Sequence, residues 1–342
     1  MVTIIGGGIA GTVLAGALAC HERPATVFER RAAGRDGAFV VLDRHAHDVL
    51  GELEVPLDAL ESASYPVSGF RFHYLSRDRR TMRSRGHRLY PRAGLMRALT
   101  DFASEAGADI RYETPVTEVD PVTGTVFGGE EAVAVDDLIV AADGIDSVAR
   151  TALEPERAAE YAGQVIFYGT TSKPVELPTD PDTLHFDGRL GAGLLPVSSF
   201  GHLWSEDTAF WFARLTRPPV PRQHTGFHAV AGWADEICSA APSTDIIDTL
   251  LAHTDTLHVS NARSVPLHSA KPPQPPVILC GDADHAITPA AGRGACEAID
   301  DVDALHRAIL TGDDPAAAMT VRRSRIAAER EEAQRLYARA LE

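Results

Sequence analysis

The sequence is short of several features that define common protein classes. Only Lys173 and Lys271 are lysines among 32 basic residues, and acidic residues outnumber basic ones to give a net charge of −16. Nucleic-acid-binding proteins need a basic face, and anionic membranes attract basic segments, so this balance argues against both partners. The scarcity of lysine beside abundant arginine and alanine is typical of GC-rich coding sequences, as in many bacteria.

Cysteine and long apolar runs are also scarce. The four cysteines lie far apart and none belongs to a C-x-x-C pair, so we expect neither a metal site nor a disulfide framework. No stretch approaches the roughly 20 apolar residues that cross a bilayer. The apolar N-terminal stretch lacks the basic flank of a signal peptide. We therefore expect a cytoplasmic protein without membrane contact.

The 342 residues suffice for two domains, or for one large domain with an insertion. Buried strands alternate with helices near both ends of the chain, whereas residues 165–218 carry short alternating strands separated by Gly and Pro. We predict an α/β fold: a Rossmann-like nucleotide-binding domain with an inserted antiparallel β-sheet domain. The first is predicted to comprise residues 1–68, 87–164 and 266–342, and the inserted substrate domain residues 69–86 and 165–265.

Several local patterns predict individual elements. Residues 69–76 and 81–90 alternate like the two strands of a hairpin. Apolar residues recur with helical spacing over 92–107, and again beyond Gly294. A charged amphipathic helix is predicted from Pro315 to the end of the chain.

The N-terminal stretch "GGGIAG" follows a predicted buried strand and precedes a predicted helix. Its Gly6, Gly8 and Gly11 form G-x-G-x-x-G, which allows a tight turn, close approach to a pyrophosphate and close helix–strand packing. Glu29 ends the second predicted strand, where an acid hydrogen-bonds a ribose 2′-hydroxyl and repels a 2′-phosphate. This unit predicts a site for FAD or NAD rather than NADP, and it leaves open which of the two binds.

Two further stretches follow predicted buried strands. These are "ADGIDSVAR" at 142–150 and "GDADHAITPAAGRGACEAIDD" at 281–301. An Asp-Gly pair alone indicates no more than a turn. With "GGGIAG", Glu29 and "RLYPRAGLMRAL" at 88–99, in this order along nearly the whole chain, the sequence resembles the FAD-dependent aromatic hydroxylases. These are the group A flavoprotein monooxygenases typified by para-hydroxybenzoate hydroxylase, and the resemblance implies a FAD-binding domain of that type.

The resemblance implies cofactor contacts in each motif. Glu29 would bind the adenosine ribose with Arg30 beside it, and Asp143 with Gly144 would lie near the pyrophosphate. Other expected cofactor-binding residues in the first half of the chain are Gly6, Gly8, Ala10, Gly11, Arg92 and Val116. Arg92 would reach the flavin or its ribityl chain.

The second half of the chain would bind the flavin end. Asp282 would hydrogen-bond a ribityl hydroxyl, and Pro289 would lie at the flavin ring. Backbone N–H groups around Gly292, Gly294 and Ala295 would face the N1–C2=O edge. A helix that begins near Gly294 would direct its dipole at the negative charge of the reduced flavin.

The resemblance also implies a reaction. NADPH or NADH would reduce FAD transiently, O2 would form a C4a-hydroperoxide, and one oxygen would pass to a small bound molecule. No acid–base triad is required, so no catalytic residue is assigned. The substrate would be aromatic or polyketide-like, as in natural-product tailoring such as antibiotic biosynthesis, and we expect a monomer or homodimer.

Substrate contacts are expected on the β-rich sheet that would face the flavin. By strand position the candidates are Tyr168, His185, Leu195, Phe210 and Phe212. Each could equally be a core residue, because aromatic side chains on alternating strands usually are. His285 is common in the family, and we interpret it as a structural residue rather than a catalytic base.

The chain departs from the family pattern at three positions. Cys296 stands where Asn is frequent, Arg293 where a neutral residue is frequent, and Asp146 where a basic or neutral residue is frequent. The first departure concerns a side-chain contact to the flavin, and the last concerns docking of the nicotinamide cofactor.

Three other functions are compatible with a nucleotide-binding fold of this kind to different degrees. A flavin-dependent halogenase needs a W-x-W-x-I-P motif and a suitably placed lysine, and the sequence has neither. A flavin-dependent dehydrogenase or reductase on the same fold stays open, because sequence does not show whether O2 is used. From another class, a non-catalytic nucleotide-binding redox sensor stays open, although the intact motifs argue against it.

Overall fold

The structure is a computed structural model that describes residues 1–32, 37–73, 80–190, 196–242, 244–288 and 292–339. Its strands β1 to β19, in chain order, are Val2–Ile5, Ala25–Phe28, Phe39–Leu42, Tyr65–Pro66, Gly69–His73, Arg80–Arg83, Arg88–Pro91, Asp109–Arg111, Glu118–Asp120, Thr125–Gly128, Glu131–Val135, Ile139–Ala141, Glu160–Thr170, Thr183–Leu190, Pro196–Trp204, Ala209–Thr216, Gly226–Ala229, Thr256–Ser264 and Val277–Leu279. Its helices α1 to α10 are Ile9–Cys20, Arg44–Glu52, Leu57–Ser62, Arg92–Glu105, Val148–Leu153, Ala234–Cys238, Thr244–Ala252, Asp282–His285, Gly294–Thr311 and Pro315–Arg339.

A parallel sheet with the order β19-β12-β1-β2-β8 forms the centre of the nucleotide-binding part. One face packs against α1, α4 and α9, and the other against α5 and the small sheet β11-β10-β9. Parallel strands covered on both faces read as continuous apolar runs, which is why "VTII" and "VIL" signal them so clearly. The Rossmann-like prediction is confirmed.

The register of this sheet brings three sequence motifs to one edge. Ile5 of β1 is the partner of Ala141 in β12, and Ala141 is the partner of Leu279 in β19. The three strands are parallel, so their carboxyl ends meet at the same edge. The loops that begin at Gly6, Ala142 and Cys280 are therefore neighbours, although they are far apart in sequence.

The second large sheet has the order β17-β18-β13-β16-β15-β14-β5-β6. Its strands come from residues 69–83 and 160–264, and they are antiparallel except for the β14–β5 pair. One face carries Phe167, Phe200 and Trp211 against α6 and α7. The other carries Leu184 and Phe210 against the three-stranded sheet β3-β7-β4. The predicted inserted sheet is thus confirmed, with one parallel pair added.

The predicted hairpin of 69–76 and 81–90 is confirmed where β5 and β6 pair and is wrong for residues 88–90, and residues 74–76 lie outside the described residues. Strand β6 pairs with β5, but β7 leaves that sheet and pairs with β3 and β4. A turn separates the two strands: the Ser84 hydroxyl accepts from His87 N at 2.9 Å, and Gly86 adopts φ +80°. An alternating pattern reveals neither such a turn nor the sheet that each strand joins.

The predicted helices at 92–107, beyond Gly294 and from Pro315 are confirmed as α4, α9 and α10. Helix α9 packs between α1 and α10. Among the described helices, none combines the length and apolar character that a membrane crossing demands.

Candidate functional site

The loop after β1 is built on glycines that leave no room for a side chain. A Cβ on Gly6, which has φ +96°, would lie 2.5 Å from the Ala142 carbonyl oxygen. A Cβ on Gly11 would lie 2.0 Å from the Gly6 carbonyl oxygen. The first glycine thus lets the loops after β1 and β12 touch, and the second lets α1 pack on its own entry turn.

Two long helices begin at this edge without a side-chain cap. The N-cap of α1 is Gly8, which has no side chain to cap with, and the N-cap of α9 is Arg293, whose side chain bonds no first-turn N–H. The two helices pack against each other. Free N–H groups and the helix dipole make such ends attractive to anions, including phosphates and the charge of a reduced flavin.

Glu29 connects the second strand to the glycine loop. Its side chain is 3% exposed, Oε2 accepts from Gly7 N at 2.7 Å, and Oε1 accepts from Arg31 N at 2.9 Å. The carboxylate thereby fixes the turn beside α1, at the position where an acid binds a ribose in this fold. Arg30 next to it is exposed.

Asp143 has one carboxylate oxygen in use and one without a partner. Oδ2 accepts from Val148 N at 2.7 Å, whereas the buried Oδ1 has no hydrogen-bond partner among the described residues. Burial raises the pKa of this carboxyl, although hydrogen bonds from Ser147 and Ala149 lower it. A buried polar atom without a partner is costly, which favours a ligand that completes it. The neighbouring Gly144 has φ +81° and open space around it.

Arg150 joins the loop after β12 to the loop after β19. Its guanidinium donates to the carbonyl oxygens of Ile145 at 2.6 Å, Ala283 at 2.8 Å and Arg157 at 2.9 Å. Ser147 accepts from Arg150 N at 2.9 Å and so caps α5. The second motif therefore contributes the guanidinium that ties the two loops together, beyond the Asp-Gly turn itself.

Asp282 borders a concave space beside the start of α9. Its side chain is exposed, yet the surrounding protein desolvates the carboxyl and raises its pKa, while His285 and Arg92 lower it. A Cβ on Gly294 would lie 3.7 Å from Asp282 Oδ1, so this carboxylate stands next to the helix N-terminus. Exposure within dense surroundings is the signature of a cleft wall.

His285 lies between two buried carboxylates. Its Nε2 is 2.6 Å from Asp301 Oδ2 and its Nδ1 is 3.6 Å from Glu297 Oε2. Burial alone would lower its pKa, but Asp301 and Glu297 raise it to about 10. Arg330 of α10 donates to Glu297 Oε2 at 2.7 Å and to the His285 carbonyl oxygen at 2.7 Å. This arrangement supports the structural interpretation of His285.

The three departures from the family pattern have distinct surroundings. Cys296 is buried beside Asp43, and burial raises its thiol pKa to about 11. Arg293 donates to Glu329 of α10 at 2.7 Å. Asp146 accepts from Arg263 of β18 at 2.6 and 3.0 Å, so it fastens the loop after β12 to the second large sheet.

An aromatic row crosses the face of this sheet that looks toward β3. Register places Phe227, His258, Tyr168, Phe212, Gly201, Phe186 and Phe72 side by side on successive strands. A Cβ on Gly201 would lie 2.2 Å from the Phe212 ring, so the glycine makes space for that ring. The Phe39 ring of β3 meets Tyr168 at 5.6 Å and Phe212 at 6.4 Å between centroids.

Arg92 connects the row to the loops at the edge of the parallel sheet. Its charge lowers the pKa of Asp282 on one side and, after burial, the pKa of His258 on the other. Its backbone N–H donates to the Ala38 carbonyl oxygen at 3.2 Å, next to Phe39. Arg92 therefore lies between the candidate cofactor loops and the aromatic row.

The predicted substrate residues separate into two groups. Tyr168, Phe210 and Phe212 share the face toward β3, with Phe210 fully buried. His185 lies on the opposite face, since side chains alternate along a strand, and its ring stacks with His202 at 4.9 Å and His73 at 5.5 Å. Leu195, and Pro289 of the cofactor set, fall outside the described residues.

The remaining predicted cofactor residues lie around the same edge. Ala10 is buried near Gly281, and Val116 is partly buried against the β1 and β12 side of the parallel sheet. Gly292 has φ +63° with open space, and Ala295 lies in the first turn of α9.

Sequence reasoning missed three polar side chains on the aromatic face. Arg214 Nε, Ser199 Oγ and His258 Nδ1 are buried and lack a hydrogen-bond partner within the part of the chain that is described. The alternation from Phe212 would have placed Arg214 on this face. Nothing in the sequence pairs Ser199 with it.

These features fit a bound dinucleotide. Glycine positions that a Cβ would fill, two uncapped helix ends and an Asp143 Oδ1 without a partner among the described residues all lie at or after the carboxyl edge of the parallel sheet. For the described residues, no cluster of three or more His, Cys, Asp or Glu side chains could hold a metal ion.

Comparison with known proteins gives one family match and several relatives. The family model described as "FAD binding domain" matches residues 1–313. Kynurenine 3-monooxygenase from Salinispora arenicola is 25% identical over 352 residues, which cover 93% of this chain and 74% of the relative. Aurachin C monooxygenase/isomerase from Stigmatella aurantiaca is 27% identical over 187 residues, 53% of this chain and 45% of the relative.

Solved structures share the fold at lower identity. CtdE in complex with FAD and a substrate has a TM-score of 0.79 at 20% identity, over 98% of this chain and 88% of that one. The 2-methyl-3-hydroxypyridine-5-carboxylic acid oxygenase, as the Y270A mutant, has a TM-score of 0.76 at 21% identity, over 95% and 86%.

Proposed function

The chain belongs to the FAD binding domain family, and from this premise we propose that it is a FAD-dependent monooxygenase acting on a small aromatic molecule. The match over residues 1–313 and relatives named as monooxygenases support this proposal. The observation that carries the substrate class is the aromatic row on the second large sheet, which Arg92 connects to the cofactor loops. A flat apolar surface of this kind suits an aromatic ring placed between sheet and cofactor.

Bound FAD would supply the redox chemistry that links oxidation of NADPH or NADH to activation of O2. The chain's own residues would bind and orient. Glu29 and the first turn of α1 would hold the nucleotide half, and Asp282, Arg92 and the first turn of α9 would border the flavin half. The aromatic row would exclude water from the reacting centre. The route of oxygen transfer expected from the sequence is part of this proposal.

Arg214 and Ser199 indicate that the substrate carries an acidic group in addition to its aromatic ring. They are register partners on neighbouring strands, and Ser199 is 1% exposed. Arg214 is always charged and is half-buried, and the described residues offer its Nε no acceptor. A partly desolvated guanidinium needs an anion or strong acceptor. We include a carboxylate or similar acidic group in the proposed substrate.

Purification and oxygen uptake test the proposal. The expected protein is yellow with FAD, and an aromatic acid from a screening panel accelerates NADPH or NADH oxidation while consuming O2. Oxygen-18 from O2 should appear in the product. Reduction without O2 incorporation would instead support the dehydrogenase or reductase, and a colourless protein that binds no flavin would contradict both.

The proposal also includes the domain boundaries, the oligomeric state, the cellular location and the biological role expected from the sequence. The sheet membership of residues 69–83 and 160–264 supports the proposed domain division, although β13 begins at Glu160, five residues before the predicted boundary. A monomer or homodimer in the cytoplasm and a place in natural-product tailoring are proposed on the sequence alone.

A further inference from the structure

His258 is the one imidazole among the described side chains of the aromatic row. Register sets it between Phe227 of β17 and Tyr168 of β13. The Phe227 ring meets its imidazole edge-on at 5.2 Å, and the Tyr168 ring lies at 6.5 Å. The other side chains of the described row are hydrocarbon rings, Gly201 or the Tyr168 phenol. His258 therefore supplies a polar ring where its neighbours supply apolar area.

One nitrogen of this imidazole has no partner. His258 Nδ1 is buried, and no group in the described ranges hydrogen-bonds it. By contrast, Nε2 of the adjacent His228 approaches the Thr225 carbonyl oxygen at 3.3 Å, and His185 and His202 also have partners. A buried imidazole nitrogen left unbonded costs free energy, so its retention in the aromatic row points to a ligand that completes it.

The charges around His258 keep it neutral. The groups that face it from other elements are Arg92 from α4 and the Tyr168 phenol from β13, while the neighbouring His228 of β17 lies on the opposite face of the sheet. Burial lowers the His258 pKa, and the positive charge of Arg92 and the neighbouring His228 lower it further. A neutral imidazole with its proton on Nε2 offers Nδ1 as an acceptor.

We infer that His258 is a specificity-determining residue whose Nδ1 accepts a hydrogen bond from a ring hydroxyl or amine of the aromatic substrate. This inference rests on the proposed function and adds to it the group that the substrate must carry. His258 and Arg214 are separated by two strand spacings and two residues, so their Cα atoms are about 12 Å apart. An aromatic ring with a hydroxyl or amine at one end and an acidic group at the other spans such a gap.

Paired ligands test the inference by binding rather than by turnover. The probes are 4-hydroxybenzoate and 4-hydroxycinnamate, each compared with its methyl ether. Dissociation constants come from perturbation of the flavin absorbance of the holoenzyme. The wild-type protein should bind each hydroxyl compound about tenfold more tightly than its ether, the value of one well-made hydrogen bond to a buried acceptor.

Three substitutions of His258 distinguish the contribution of the Nδ1 atom from that of the imidazole ring as a whole. His258→Leu should abolish the hydroxyl preference. His258→Asn places an amide oxygen near the Nδ1 position and should retain part of it, whereas His258→Gln extends toward Nε2 and should not. His228→Asn, on the opposite face of the sheet, is the matched control and should leave the preference unchanged. FAD content and circular dichroism establish that each variant is folded.

The possible outcomes distinguish the role of His258, the assignment to its Nδ1 atom and the proposed aromatic-acid substrate. A preference that survives in His258→Leu, or equal affinity for both members of a pair in the wild type, overturns the inference and leaves the monooxygenase proposal intact. Retention in His258→Gln but not in His258→Asn overturns the assignment to Nδ1. If no probe perturbs the flavin of a yellow wild-type protein, the aromatic-acid substrate and this inference fall together.

Discussion

Ser199 and Arg214 lie directly opposite each other on β15 and β16, and each has a buried polar atom on the same face of the sheet that finds no hydrogen-bond partner in the described ranges. Substitution of Arg214 by Met removes the charge and keeps most of the apolar stem. We expect aromatic carboxylates to bind 10- to 100-fold more weakly, because a hydrogen bond to a charged group contributes about 1.5–3 kcal/mol. Flavin perturbation titrations give the dissociation constants.

Arg217 offers a control for this change. Its guanidinium pairs with Glu236 rather than with the aromatic face. Arg217→Met should leave ligand affinity within about twofold of wild type, because partly exposed ion pairs contribute little. Equal weakening by both substitutions would argue that Arg214 acts through general charge and not as an anchor.

Gly11 is expected to be intolerant of even one methyl group. A Cβ there would lie 2.0 Å from the Gly6 carbonyl oxygen, which is backbone and cannot rotate away. Gly11→Ala should therefore destabilise the protein by at least the roughly 1–3 kcal/mol of an overpacked core and weaken FAD binding. Urea midpoints and FAD fluorescence measure the two effects. Gly232→Ala, where the added Cβ meets open space, should change neither.

Glu29 should matter for both the turn and the cofactor. Glu29→Ala leaves Gly7 N and Arg31 N without their acceptor, and the buried one, Gly7 N, costs about 1–3 kcal/mol when unsatisfied. Glu29→Gln keeps one oxygen acceptor and loses the charge, so it should fall between alanine and wild type. FAD dissociation constants from equilibrium dialysis rank the three proteins. An unchanged affinity in Glu29→Ala would contradict the ribose role.

His285 makes the stability of the protein depend on alkaline pH. Its pKa in the folded protein is about 10, above the ordinary value of 6.5. Between these values the folded state holds a proton that the unfolded state has released, so stability falls as pH rises. The contribution is complete below about pH 6.5 and is lost through about pH 10.

The measurement is the difference in urea midpoint between wild type and His285→Gln. Other groups that titrate over this range are common to both proteins, so they cancel in the difference. The difference should shrink from pH 7 toward pH 10. A constant difference would show that His285 is not protonated between Asp301 and Glu297.

The parallel sheet and its loops were predictable because several local sequence patterns independently indicate the same strand–turn–helix arrangement. Each of β1, β12 and β19 is an apolar run followed at once by Gly or Asp-Gly, and Glu29 ends β2. The helix beyond Gly294 has its own periodicity. Such signals need no knowledge of distant contacts, so the cofactor edge follows from the sequence alone.

The substrate face was less predictable because it depends on pairings between strands. His185 and Phe186 differ by one position, yet they lie on opposite faces of β14. Only the register with Gly201 and His202 shows which one lies on the face toward β3. Likewise, the positions of Ser199 and His258 on the aromatic face become evident only from their pairing with Arg214 and Tyr168 on the neighbouring strands. Strand β7 joined a different sheet because a four-residue turn redirected it.

The Arg150 guanidinium holds together segments that are made at different times during synthesis. Among its acceptors are Ile145, in the loop after β12, and Ala283, in the short helix α8 near the end of the chain. Strand β19 adds beside β12 only after the whole second sheet has been made. Contacts of such sequence separation form late, since loop closure precedes them. Flavin capture should therefore be a late event in biogenesis. The rate at which FAD binding appears during refolding would report the rate at which β19, the last core strand, joins the parallel sheet.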